Sequence, residues 1–176
     1  MRNDLLKYGV YFIVLILFQV LVLNNVQISG YVNPYCYILF ILILPFETPG
    51  WLLLVLAFFL GMVVDIFPQG WIGDGATLGF HSTATVAIAF ARPFIVKWIN
   101  PRDEYEAGTK PDASDQGFGW FVKYLVIMVS LHHFILFFLE EFSFSRIPDT
   151  LLRFFISSVF TILLLLLWEG FISKRK

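Results

Sequence analysis

The two residues of this chain best suited to chemistry are an aspartate, Asp65, and a histidine, His81, which lie in neighbouring apolar stretches. Asp65 follows Ala57 and Gly61 at steps of four residues, so all three share one face of a predicted helix. Because a carboxylate is costly in lipid, Asp65 either caps the helix end at the interface or makes a buried contact. His81 has a similar predicted depth in the next helix, and we predict that the two residues clamp the helices together. A proton relay would need further polar groups leading inward, of which we find none, so the clamp is favoured.

Small residues also line the fourth predicted helix, at Thr83, Ala87 and Ala91. Small side chains four residues apart let a neighbouring backbone come close, which is a common basis of helix packing in membranes. Arg92 and Pro93 follow near the other end of this helix, where the proline can kink it. The guanidinium either reaches the interface as an anchor or pairs with groups at the membrane rim.

The other histidines, His132 and His133, precede an acidic residue, Glu140. On a helix His133 and Glu140 are about 10 Å apart along the axis, too far for one metal ion without other ligands. Ser82 directly follows His81, so their side chains diverge by about 100° and cannot act together locally. The chain also lacks the G-x-S-x-G, H-E-x-x-H and P-loop patterns. We therefore predict that the protein is not an enzyme and holds no metal or cofactor.

Long apolar helices must position these residues. The chain of 176 residues is 59% hydrophobic and 14% charged, with a mean hydropathy of +0.79, which is outside the usual range of soluble domains. With a net charge of −1, the chain has no overall positive charge that would attract nucleic acid. Its single cysteine, Cys36, excludes an intramolecular disulfide. We predict an all-α integral membrane protein, a single domain whose six transmembrane helices cover residues 8–23, 35–46, 51–67, 76–99, 118–139 and 151–172.

The orientation follows from the lysines and arginines, of which there are 12. With the N-terminus inside, only Arg146 and Arg153 fall on the outer side, so both termini are predicted to be cytoplasmic. The second run, 35–46, is short for a bilayer core of about 20 residues. If it did not cross, every later basic residue would be on the wrong side, which favours six crossings. The hydrophilic run 100–117, with mixed charges, is predicted to be a flexible cytoplasmic connector.

Several short motifs follow one another in order along the chain: Gln19–Asn25, Gly30–Tyr35, Leu44–Pro49, Leu60–Phe67, Gly79–Ser82 and Ala91–Phe94. Their order and spacing resemble MreD, a family of rod shape-determining membrane proteins, in the form typical of Bacteroidetes. The resemblance is strongest from Gln19 to Arg102. The element that joins Gly61 to Asp65 is similar to the most recognisable feature of the family.

This resemblance implies a non-catalytic scaffold of the peptidoglycan elongation machinery, which maintains rod cell shape from the bacterial inner membrane. The implied partners are MreC and, through it, the RodA glycosyltransferase, a class B penicillin-binding transpeptidase and MreB filaments. The implied fold is a six-helix bundle similar to the substrate-binding subunit of energy-coupling-factor transporters. The packing or partner contacts that we expect on helices three and four are Ala57, Gly61, Asp65, His81, Ala87, Ala91 and Arg92.

A vitamin-binding transporter subunit is the rival hypothesis, because it would have the same size, helix number and topology. It would hold a polar cavity open to the outside. Candidates for such a cavity in the outer half are Asn25, Asn33, Asp65, Trp71 and His81. A third hypothesis, a small ion or proton transporter, needs charged residues in the middle of the membrane, whereas the predicted helix centres are almost purely apolar. The scaffold is favoured over both.

Overall fold

The computed structural model describes residues 2–26, 32–67, 79–99, 105, 108–141 and 146–173. Within these ranges the chain is helical and forms no β-sheet. The α-helices are α1 (Arg2–Leu21), α2 (Leu39–Ile43), α3 (Gly50–Ile66), α4 (Phe80–Ile99), α5 (Ala113–Gln116), α6 (Phe118–Glu141) and α7 (Ile147–Ser173). The predicted start of the fourth helix at 76–78, most of the connector 100–107 and the basic end 174–176 lie outside the described residues.

Among the described residues, four stretches are long and apolar enough to cross a membrane: Leu6–Asn25, Phe80–Ile99, Phe118–Glu141 and Ile147–Phe171. The helix Gly50–Ile66 is apolar but shorter. Large apolar side chains cover the outside of these helices, and Trp98 and Phe171 are 75% and 73% exposed. Exposed apolar surface on this scale is stable in lipid rather than in water. The described part of the chain is therefore all-helical and suited to a membrane.

The second predicted run is not one regular helix. A 3₁₀ turn, Cys36–Ile38, leads into the five residues of α2. Together these elements are about 14 Å long, whereas the hydrocarbon core of a bilayer is about 30 Å thick. Pro34 and Pro45 flank them, and proline cannot supply the backbone N–H that a longer helix would need. The prediction of one continuous helix over 35–46 was wrong.

Helix α2 lies at the centre of the molecule. Its Ile41 and Leu42 are fully buried, and neighbouring Ile38 is as well. Around it α3 packs most closely on α4, α4 on α6, and α6 on α7, while α1 contacts both α3 and the 3₁₀ turn before α2. Irregular backbone is tolerated at membrane depth only where protein surrounds it. The long helices therefore surround α2 with protein, so its irregular backbone is shielded from lipid.

The described end of the connector is attached to the bundle. The backbone N–H of Phe46 donates to the carbonyl of Thr109, and the N–H of Ala113 donates to the carboxylate of Glu169 on α7 at 3.1 Å. Asp112 caps the short helix α5 by accepting from the N–H of Asp115 at 2.8 Å. These bonds bring one end of α2, the connector and the end of α7 together at the same end of the molecule.

Candidate functional site

Asp65, near the end of α3, caps the start of α4. Its carboxylate accepts hydrogen bonds from the backbone N–H groups of His81 at 2.9 Å and Ser82 at 3.0 Å, and from the Ser82 hydroxyl at 2.6 Å. The first N–H groups of a helix have no partner within the helix, and the positive end of the helix dipole favours a negative charge there. The contact that we predicted between Asp65 and His81 is made through the backbone of His81.

Gly61 lies one turn before Asp65 and makes this capping geometrically possible. A Cβ atom on Gly61 would lie 2.5 Å from Cα of Ser82 and 2.6 Å from its backbone nitrogen. Backbone atoms cannot turn away as a side chain can, so only glycine allows α4 to approach α3 at this point. The spacing of four residues thus places Gly61, which leaves room for the backbone of α4, and the carboxylate of Asp65 on the same face of α3.

The alanines of the predicted contact faces differ in their surroundings. Ala57 is fully buried within the bundle, whereas Ala87 and Ala91 are half-buried. Ala87 borders an open groove of roughly 760 Å³ between α3 and α4. The groove is largely apolar, and its lining includes Leu54, Phe58, Met62, Asp65, Thr83, Val86, Ala87 and Phe90.

A buried tyrosine, Tyr37, joins two of the three histidines. Its hydroxyl lies 3.0 Å from Nδ1 of His81 and 2.8 Å from Nε2 of His132, and all three side chains are fully buried. Thr85 Oγ1 donates to the carbonyl of His81 at 2.7 Å and lies 3.4 Å from the same hydroxyl. The expectation that the helix centres are almost purely apolar was wrong.

The direction of one hydrogen bond in this cluster can be assigned. Tyr37 has one proton, so at least one of the two imidazoles must donate to its hydroxyl. Nδ1 of His132 has no hydrogen-bond partner among the described residues. A buried N–H without a partner is rarer than a bare acceptor and costs about 1–3 kcal/mol, so the proton of His132 belongs on Nε2. His132 then donates to Tyr37, whose own proton is left for Nδ1 of His81 or Oγ1 of Thr85.

The third histidine, His133, is held separately. Its Nδ1 lies 2.9 Å from the carbonyl of Val129, which can only accept, so Nδ1 carries the proton. Its Nε2 therefore accepts from Oγ1 of Thr161 at 3.0 Å. The same Oγ1 accepts from the backbone N–H of Tyr35 at 3.0 Å. His133 and Thr161 thus stabilise the non-helical chain that enters α2.

Gln19 of α1 binds the same segment from the opposite side. Its Oε1 accepts from the backbone N–H of Cys36 at 2.8 Å, and its Nε2 donates to the carbonyl of Pro34 at 3.1 Å and to Asn24 at 2.9 Å. Our sequence interpretation used Gln19 only as part of a motif and dismissed the histidine pair. Polar side chains inside otherwise apolar runs were the signal that could have found this cluster.

Arg92 is not an exposed anchor, as one of our two interpretations had it. It is only 3% exposed, and its guanidinium donates to the carbonyl of Leu44 and, through Nε, to the hydroxyl of Tyr124 at 3.1 Å. That hydroxyl donates to the carbonyl of Leu42 at 3.2 Å. Arg92 and Tyr124 therefore satisfy carbonyl groups that the end of α2 leaves without partners.

At the other end of the molecule, charges cluster between α6 and α7. Arg153 lies 3.2 Å from Glu140 and 3.9 Å from Glu141, and Arg146 lies 2.6 Å from Glu141. Within the described residues, no group of three or more His, Cys, Asp or Glu side chains is arranged to hold a metal ion. The arrangement around α2 and α4 is one of helix caps and buried hydrogen bonds, which fix the positions of helices.

Comparison of the chain with protein-family models, with characterised proteins and with solved structures finds no match.

Proposed function

We propose that the protein is an MreD-type scaffold of the peptidoglycan elongation machinery in the bacterial inner membrane, acting through MreC on RodA and its class B penicillin-binding transpeptidase. The observation that carries this proposal is the α3–α4 pair. Gly61 and Asp65 lock the two helices together, and the outer surface of the pair remains an open apolar groove. A rigid groove with small residues on one wall suits a transmembrane helix, because close approach of backbones drives helix association in lipid.

The proposed topology has six crossings, with the chain around α2 as an interrupted one. Tyr35 at its start bonds to Thr161 in the interior of α7, and Phe46 at its end bonds to Thr109 in the connector. A crossing here puts Lys7 on the same side of the membrane as Lys97 and Lys123, with Arg146 on the other side. That distribution follows the positive-inside rule with both termini in the cytoplasm.

The rival hypothesis, a vitamin-binding transporter subunit, finds less support in these contacts. Two of its proposed polar groups are buried and already bonded within the bundle. The Asp65 carboxylate caps α4, and Nδ1 of His81 contacts the hydroxyl of Tyr37. Trp71 lies outside the described residues. The groove beside α4 is mainly apolar, whereas a vitamin site needs several polar groups that converge on a ligand.

A photo-crosslinking residue placed at Thr83 tests the scaffold and its groove together. Thr83 is exposed and lines the groove, while Val159 on α7 is 54% exposed and serves as the matched control. In native membranes we expect an MreC adduct at position 83 that exceeds the adduct at position 159 by about tenfold, the ratio that a contact worth about 1.4 kcal/mol would give. Equal adducts at both positions would exclude the groove, and recovery of a transporter coupling subunit would favour the rival.

A further inference from the structure

A second cavity, of roughly 590 Å³, lies where α3 begins and α4 ends. Two cationic side chains, Arg92 and Lys97, line it together with Thr48 and Tyr105. Phe46 lies on the same wall, stacks on the ring of Tyr105 at 4.0 Å and also lies beneath the guanidinium of Arg92, 5.9 Å from it. The cavity therefore combines positive charge with hydroxyl groups and an aromatic floor.

The charge of Arg92 is not balanced by the described residues. Its two hydrogen-bond acceptors, the Leu44 carbonyl and the Tyr124 hydroxyl, are neutral. Among the described residues, the ion pairs of arginine involve only Arg146 and Arg153, at the opposite end of the bundle. A buried cation is unfavourable without a counter-charge, and Arg92 is 3% exposed and lines an open cavity. An anion in this cavity would supply the missing charge.

The rest of the lining identifies the kind of anion. Leu54 and Phe90 line both this cavity and the α3–α4 groove, so an apolar path leads from Arg92 along the outer surface of the α3–α4 pair. Phe94 and Trp98, beside the cavity on α4, are 64% and 75% exposed. A free phosphate would use the cations alone, whereas a phospholipid would use both the cations and the apolar path. Basic pockets between helices at the cytoplasmic surface suit anionic lipid headgroups.

We propose that this cavity binds the phosphate of an anionic phospholipid through Arg92 and Lys97, with acyl chain lying against Leu54 and Phe90. Guanidinium groups pair well with phosphate oxygens because their N–H groups are fixed in a fork. The site goes beyond the scaffold role, although its acyl-chain contacts, Leu54 and Phe90, also line the groove proposed for the partner helix.

Native mass spectrometry of the purified full chain, delipidated and then titrated with lipid, tests the site. Both lipids carry the phosphate, but the choline cation of phosphatidylcholine is repelled by Arg92 and Lys97, so we expect phosphatidylglycerol to bind about tenfold more tightly. Arg92→Gln should abolish that preference. Because Arg92 also supports α2, Lys97→Gln is the second variant: Lys97 is exposed, and its loss should weaken phosphatidylglycerol binding about threefold without unfolding the chain.

Lys123→Gln is the matched control, because Lys123 is also exposed and lies on α6, outside the lining of this cavity. Equal losses from Lys97→Gln and Lys123→Gln would overturn the proposal, since the effect would then be one of general surface charge. Equal binding of phosphatidylglycerol and phosphatidylcholine would overturn it as well. Full displacement of phosphatidylglycerol by millimolar inorganic phosphate would assign the site to a soluble anion instead of a lipid.

Discussion

Asp65 does for α4 what an N-cap residue usually does for its own helix. Ordinarily the capping side chain immediately precedes the helix and accepts from one backbone N–H. Here the carboxylate comes from α3 and accepts from two N–H groups and the hydroxyl of Ser82. In lipid no water is available to satisfy those groups, so the cap both completes α4 and attaches it to α3. Gly61 and Asp65 therefore work as one unit.

Replacement of Gly61 by alanine tests that unit. The added Cβ would lie 2.5 Å from the backbone of Ser82, so α4 must move away and the three bonds to Asp65 must lengthen. We expect Gly61→Ala to lower the free energy of unfolding by about 1–3 kcal/mol, the usual cost of overpacking. Thermal unfolding of the purified protein in mild detergent measures this loss.

Gly119→Ala is the control for that measurement. Gly119 also lies in a long helix, α6, but a Cβ atom there has nothing within 4 Å. Alanine is a better helix former than glycine by about 1 kcal/mol, so this variant should be neutral or slightly more stable. A Gly61→Ala protein as stable as Gly119→Ala would show that the close approach of α3 and α4 contributes nothing.

At the scale of single residues, the sequence predicted which residues of α3 share a face but not which groups they would contact. Steps of four residues placed Gly61 and Asp65 together without knowledge of the fold. The start of α4 could not be located, because the helix boundary depends on the cap that Asp65 itself provides. Similarly, Arg92 could be assigned to a helix end, but its burial depends on α2, from which it is separated by 48 positions in sequence.

At the scale of elements, the chain around α2 is the part that sequence patterns described least well. Its apolar character was recognised, and the run was predicted to be a transmembrane helix. The interruption of the helix was missed because its backbone groups bond to side chains far away in sequence, in α1 and α7. A residue-by-residue pattern holds no information about such distant donors and acceptors.

Gln19→Leu tests the dependence of this segment on its side-chain support. The substitution removes the acceptor of the Cys36 N–H and the donor to the Pro34 carbonyl, and each buried group left without a partner costs about 1–3 kcal/mol. We expect the segment to loosen and the thiol of Cys36, which is buried and is the single cysteine of the chain, to react faster with a maleimide.

The control for this experiment is Leu17→Ala, which changes an exposed residue of the same helix. Its Cys36 should react as slowly as that of the unmodified protein. If the thiol of the Gln19→Leu variant is equally unreactive, Gln19 is dispensable, and His133 with Thr161 supports the segment alone. The rate of labelling therefore shows whether the segment is supported from both sides or from one side only.

At the scale of the whole molecule, composition and hydropathy predicted a helical membrane protein. The structure confirms the helices, and four of those in its described part are long and apolar enough to cross a membrane. The number of crossings was harder to predict. In the part of the chain that the structure describes, four helices meet the length and hydropathy expected of a span, α3 is shorter, and α2 is far too short by itself. Charge distribution therefore supports the six-crossing topology more strongly than helix length does.

The side of the membrane on which Asn25 and Glu47 lie decides whether the chain around α2 crosses. Both residues are exposed, and they bracket the segment, Asn25 after α1 and Glu47 before α3. In a Cys36→Ser background, we expect Asn25→Cys to react with a membrane-impermeant maleimide on intact spheroplasts. Glu47→Cys should react only after the membrane is opened, since about 30 Å of hydrocarbon would separate the two positions.

Lys123→Cys and Arg146→Cys provide the reference for inside and outside in the same experiment. Lys123 lies near the start of α6, and Arg146 follows its end in the cluster of charges between α6 and α7. If Asn25→Cys and Glu47→Cys were labelled from the same side, the chain around α2 would be a re-entrant loop. The termini would then face opposite sides, and ten of the twelve basic residues could no longer share the cytoplasmic side. Labelling from opposite sides would instead make α2 an interrupted crossing, with Gln19, Thr161 and Arg92 taking the place of the missing helical hydrogen bonds.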